Sequence, residues 1–205
     1  MPAARVHSSA GEWRRETRAF AQPESAAGAK RSATRNAVKS TPPTRCIVQA
    51  YQLEAFGLDH LKRTDVAVPP PGPGEVAVDV HAFSLNYRDL MVIKGLYNPK
   101  LRLPAVPVSD GAGGIAAVGP GVTRVRVGDR VTSHFVSGWI DGPFRQAYLA
   151  TTLGTPAAGL AAHRVILPAE AVVPWPAGYS AAEAATLPIA ALTAWSALVT
   201  VGDVR

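Results

Sequence analysis

A single cysteine, Cys46, stands among 205 residues. One thiol excludes an intramolecular disulfide framework and any zinc site built from several cysteines, and a reducing, cytoplasmic setting is the expectation. Charged residues are sparse as well, at 18% against 47% apolar, and the mixture with 18 Gly and 18 Pro fits neither collagen nor wholesale disorder. No apolar run of the secretory-signal kind opens the sequence. Ser-His-Asp, Cys-His and paired-carboxylate arrangements do not stand out. What remains is a globular composition, long enough for a hydrophobic core in one domain or one and a half.

The excess of positive charge is confined to one end. Residues 1–45 hold nine Lys/Arg against Glu12, Glu16 and Glu24, which accounts for the whole net charge of +6 and leaves residues 46–205 neutral. A basic stretch without interleaved aromatics is a weak mark of nucleic-acid binding, and no nucleic-acid partner is expected. Residues 1–44, rich in Ala, Ser, Arg and Thr and without an apolar period, read as a disordered basic tail. They offer too little apolar surface to offset the entropy of ordering. Their three acids argue against an organelle transit peptide.

From Cys46 onward the pattern is mostly strand. Residues 75–82 alternate, with Val76, Val78, Val80 and Ala82 on one face, and follow the Pro/Gly turn at 69–74. Residues 115–118 end at Gly119-Pro120-Gly121; residues 125–127 meet a Gly128-Asp129 turn before 130–133. Short strands at this spacing with Gly/Pro turns predict a barrel or sandwich. Two helices interrupt it. Asn86 caps a short one that closes near Gly95, and Ser180 with Glu183 forms a capping box before a second region that restarts after Pro188. Residues 184–201 carry no charge, and their Ala/Thr content and Pro188 favour a helix buried against a second domain over a membrane span. No membrane partner is expected.

Gly111-Ala112-Gly113-Gly114-Ile115-Ala116 spells a dinucleotide-binding G-x-G-x-x-A, with Asp129 near the spacing of a ribose-binding acid. That use requires a strand before and a helix after, so that pyrophosphate meets a helix N-terminus. Pro104 and Pro107 precede the glycines and Gly119-Pro120-Gly121 forbids the helix. The glycines are expected to permit close backbone packing in a barrel instead.

Four segments then line up: Asn86-Tyr87-Arg88-Asp89-Leu90, Ser109-Asp110-Gly111-Ala112-Gly113, Val127-Gly128-Asp129-Arg130-Val131, and Leu187-Pro188-Ile189-Ala190-Ala191-Leu192-Thr193-Ala194-Trp195. In this order they resemble the N-terminal catalytic part of the medium-chain dehydrogenase/reductase superfamily, closest to its zinc-lacking, quinone-oxidoreductase-like NAD(P)-dependent alcohol dehydrogenases. The resemblance runs from Ile47 to the end. It implies a mainly β fold with peripheral helices: a GroES-like, partly open β-barrel over 45–179, and a connecting helix over 180–205 leading to a Rossmann domain. That domain and its nucleotide-binding glycine loop are absent here, so a truncated catalytic domain is expected. The implied cofactor is NAD(P)(H) and the implied partner a small-molecule substrate, with a homo-oligomer open.

In zinc-dependent members of that superfamily a Cys of the first motif, a His-Glu pair of the second and a Cys near the last hold the metal. Here those positions carry Asn86, Ser109-Asp110 and, approximately, Ile189. Catalytic zinc needs about three converging N, S or O side chains, so the chain is read as metal-free. Hydride transfer leaves negative charge on a carbonyl oxygen, and without a Lewis acid hydrogen-bond donors must meet it. Asn86, Tyr87 and Arg88 are the catalytic candidates; Asn86 and Thr193 are the nicotinamide-side contacts that the resemblance implies. Quinones and enones spread the charge and need less help than a simple ketone. Each residue also has a plainer use. Asn86 can be a helix cap, Tyr87 core packing, Arg88 an ion-pair partner, Thr193 an interior helix residue. Trp139, Trp175 and Trp195 are expected in the core or a cleft wall. The rival function is a non-catalytic GroES-like binding module or an inactive truncated product.

Overall fold

The computed structural model describes residues 45–204; the basic tail inferred for residues 1–44 lies outside the described residues. Strands dominate. β1 (Cys46–Leu53) and β2 (Leu61–Val68) form an antiparallel pair. A five-stranded antiparallel sheet follows, from β3 (Glu75–Ser84), β4 (Asp110–Val118), β5 (Arg130–Ser133), β6 (Arg164–Pro168) and β7 (Val172–Pro174), in the order β6-β3-β4-β5-β7. Single bridges, Ala50 to Ala162 and Leu53 to Ala105, tie the pair to the rest. Both sheets stay open, as a partly open barrel requires.

The alternation of apolar residues buries one face of this assembly. Val76, Val78, Ile115, Val131, Leu160, Leu167 and Val172 meet in one cluster. Each such side chain contributes about 1.5–3 kcal/mol of transfer free energy. The Gly-rich segment is strand, not a phosphate loop: it lies inside β4, and a Cβ at Gly113 would overlap the carbonyl oxygen of Asp79 across the β3–β4 ladder. Residues 125–127 remain loop, with only Val125 packed into the core.

Helices occupy the expected places. α1 (Tyr87–Ile93) starts at Asn86, and its end passes through Gly95 at φ 73°. α2 (Ala181–Ala185) opens with the Ser180–Glu183 capping box and buries Ala184 and Ala185 against Ala112 and Trp175. The chain then runs through a wide π-helical turn at Leu187–Ala191, through α3 (Leu192–Trp195), and through a second wide turn at Ser196–Val201. Leu192, Trp195, Leu198 and Val201 on this stretch are exposed; of the two places expected for Trp195, core or cleft wall, the core is ruled out among the described residues, since the residue is 63% accessible. Leu187, Pro188 and Ile189 are half-buried where the stretch leaves α2, whereas residues 190–201 are exposed among the described residues. Among the described residues no helix is long and apolar enough to cross a membrane.

Candidate functional site

The site grows from the start of α1. Asn86 keeps an extended backbone while the next residue turns helical, and the Asp89 carboxylate reaches back to accept the Asn86 N–H at 2.8 Å. That cap draws Asp89 into the interior, where burial raises its carboxyl above the ordinary range against the pull of Asn86, Arg88 and Ser109.

Arg88 turns the other way, into the protein. One terminal nitrogen donates to Ser109 Oγ at 2.5 Å and to the Leu153 carbonyl at 3.1 Å; the other donates to the Thr155 carbonyl at 3.0 Å. The guanidinium lies 4.5 Å from the Tyr97 ring centroid and 5.0 Å from that of Phe135. Arg88 thus pins the loops carrying Tyr97, Phe135 and residues 153–155 to the start of β4. Its Nε is buried without a hydrogen-bond partner among the described residues.

Beside it stands Asp110, fully buried as the first residue of β4. Its Oδ2 accepts the Asn86 side-chain N–H at 3.0 Å and the Ile189 main-chain N–H at 3.1 Å. Its Oδ1 is buried with no hydrogen-bond partner among the described residues. Burial pushes the Asp110 carboxyl up to about 6; the two N–H donors pull against it, and the Asp89 charge pushes the same way as burial. The residue two before it, Val108, is buried and holds φ 77°. A β-branched residue in the left-handed region is strained, and such strain persists only where surroundings over-determine it.

The three sequence positions aligned with metal ligands therefore do converge, but as two proton donors on one carboxylate. A carboxamide N–H and a main-chain N–H offer no lone pair to a cation, so this donor set does not fit zinc. Among the described residues no group of three or more His, Cys, Asp or Glu could hold a metal ion. Cys46 is free and exposed on β1.

The other candidates lie apart from this cluster. Tyr87 is 77% exposed on the outer side of α1, and Thr193 is exposed on α3, one turn beyond Ile189. Neither side chain makes a hydrogen bond among the described residues. Trp175 is buried, as expected, and Trp139 packs edge-on to Phe144 and stacked on Tyr148. Asn86 borders a cavity of about 340 Å³ whose other walls include Leu58, Leu61, Phe83, Leu90 and Ile93. That volume falls within the range of small-molecule pockets. Sequence reasoning treated Asp110 only as an isolated carboxylate. Nothing local to it announces a donor 79 residues further on.

Comparison with known proteins decides the family. A family model described as the alcohol dehydrogenase GroES-like domain matches residues 72–177, just over half of the chain. The chain belongs to that family. A zinc-type alcohol dehydrogenase-like protein of Schizosaccharomyces pombe is 44% identical over 146 residues, 71% of this chain and 42% of its own length. A chloroplastic quinone-oxidoreductase homolog of Spinacia oleracea is 32% identical over 163 residues, 78% of this chain and 44% of its own. Among solved structures, an NAD-dependent alcohol dehydrogenase matches with a TM-score of 0.68 at 37% identity, covering 77% of this chain and 48% of that one. The chain spans less than half the length of these relatives. The mainly β, open-sheet architecture is that of the GroES-like domain in the medium-chain dehydrogenase/reductase superfamily.

Proposed function

We propose that this GroES-like domain forms the substrate side of an NAD(P)(H)-dependent, zinc-independent oxidoreductase that interconverts a carbonyl, quinone or enone with its reduced form. Residues 45–179 serve as the catalytic domain and residues 180–205 as the connection to a nucleotide-binding domain, in a cytoplasmic enzyme. The observation that carries this reading is the Asn86–Asp110–Ile189 cluster. Its carboxylate is held by two N–H groups, the arrangement an anionic side chain needs in place of a cation.

The cofactor, when bound, supplies the hydride; what the chain supplies is position and electrostatics. Asn86 has one side-chain N–H committed to Asp110 and a second without a partner among the described residues. That second N–H is the donor for a nicotinamide carboxamide or a developing oxyanion. Arg88 contributes indirectly, since its donors already hold the loops around the site. Tyr87 and Thr193 are open to a ligand from the solvent side. The 111–116 glycines, being strand, give no helix N-terminus for a pyrophosphate.

The test is steady-state kinetics on the protein purified from its native source, with NADH and NADPH against an enone, a quinone and simple alcohols. Reduction of the conjugated substrates is expected to survive a chelator and to fall about 100-fold in kcat for Asn86→Ala. Chelator-sensitive turnover, or Asn86→Ala at full rate, overturns the reading.

A further inference from the structure

Asp110 is more than the hydrogen-bond count at its position requires. Both groups that meet its Oδ2, from Asn86 and Ile189, are N–H donors, and one neutral amide oxygen could accept from both. A carboxylate instead carries a buried charge and leaves Oδ1 without a partner among the described residues. Breaking even is hard for such a group, and a buried unpaired polar atom calls for a reason.

The reason lies in what a carboxylate cannot do. An amide at residue 110 could face the Asn86 carboxamide in either flip, nitrogen to oxygen or oxygen to nitrogen. An ionised carboxylate only accepts, so Asn86 must turn its nitrogen inward. The same oxygen binds the main chain at Ile189, the residue after Pro188, where the helical stretch 187–201 begins. The strained Val108 backbone sits two residues before Asp110, on the chain that enters β4.

We infer that Asp110 is a positioning residue: it fixes the flip of the Asn86 carboxamide and ties it to the Ile189 amide, so that the free Asn86 N–H and the 187–201 stretch hold one relative arrangement. This rests on the reading of Asn86 as the nicotinamide-side donor. The charged groups that act on Asp110 come from α1, Asp89 and Arg88. Its partners from β3 and from the 187–191 turn, Ser84 across the ladder and Ile189, carry no charge.

The experiment is ¹H–¹⁵N spectroscopy of the whole 205-residue chain as wild type, Asp110→Asn and Asp110→Ala, from pH 4.5 to 7.5. In the wild type the Asn86 side-chain pair and the Ile189 amide are expected to titrate together, with one midpoint near 6. In Asp110→Asn neither follows that midpoint, and the Asn86 pair splits into two sets or moves toward solvent-exposed shifts. The amides of Val76 and Val131, in the β core, report that each variant is folded; Asp110→Asn retains an acceptor should Asp110→Ala fail to fold. Asn86 resonances that coincide in wild type and Asp110→Asn overturn the inference. So do different midpoints for Asn86 and Ile189. Reduced nicotinamide mononucleotide separates this from the function proposed above. Shifts at Asn86 whose affinity drops about tenfold in Asp110→Asn support both claims. No shift at Asn86 at millimolar ligand overturns the nicotinamide reading alone and leaves the coupling to be judged by the titration.

Discussion

Replacing Arg88 with methionine keeps the apolar stem and removes the guanidinium. The side chain is only 12% exposed, and it supports three hydrogen bonds and two cation–π contacts. Charge-assisted hydrogen bonds contribute roughly 1.5–3 kcal/mol each, and cation–π contacts about 0.5–2. Against this stands the relief of no longer burying a charge whose Nε has no hydrogen-bond partner among the described residues. The Leu153 carbonyl keeps the Ser109 hydroxyl as a donor, whereas the Thr155 carbonyl loses the only donor it has from Arg88. The balance is a loss of about 3 kcal/mol, the low end for dismantling a buried charged network. A domain of this size has on the order of 5–15 kcal/mol in total. With a urea slope near 2 kcal/mol per molar, the midpoint should fall by about 1.5 M. Urea unfolding followed by tryptophan fluorescence measures it. The Arg164–Asp79 pair is the control: its two bonds are short, 2.5 and 2.9 Å, and hold the Asp79 carboxyl below the usual range. Its side chains are 30% and 44% exposed, so Arg164→Met should cost under about 1 kcal/mol. Equal midpoints for the two variants would refute the assignment of Arg88 as a buried clamp.

Two further outcomes follow from the same packing. Folding raises the Asp110 carboxyl from 3.8 to about 6, so the charged form is the one the fold disfavours. At neutral pH the whole penalty is present; as pH falls through 6 toward 3.8 the folded chain takes up the proton and unfolding free energy rises, by about 3 kcal/mol over the window. Asp89 acts in the same direction, so the difference between wild type and Asp110→Asn in stability-versus-pH curves isolates Asp110; parallel curves would contradict it. Gly113→Ala places a Cβ on the Asp79 main chain, which cannot swing aside, and should cost about 3 kcal/mol, or roughly 10 °C in melting temperature. Gly114→Ala, whose Cβ meets only the His81 ring at 3.5 Å, should cost under about 1 kcal/mol, and identical melting of the two would discount the close approach.

Much of the local structure of this protein was determined by its sequence unaided, because the relevant forces are local, although residues 125–127, read among the strands, are loop. Alternation placed β3, the Asn86 and Ser180 caps placed two helix starts, and Pro and Gly around residues 111–116 excluded a phosphate loop. Four ordered motifs identified the family. Contacts across long stretches of chain were another matter. Arg88 has the same charge and length whether it faces a substrate or an interior; only the carbonyls of Leu153 and Thr155, 65 and 67 residues away, decide that it is a clamp. Trp195 reads equally as core or as cleft wall, and only the structure, which leaves it exposed, sets the core aside. Asp110 became a hub because a strand, a helix start and a π-helical turn deliver three polar groups to one buried point, with a carboxylate that can only accept. That convergence has no periodicity and no spacing rule. It exists only once the chain is folded, since burial and long-range hydrogen bonding are properties of the packed state.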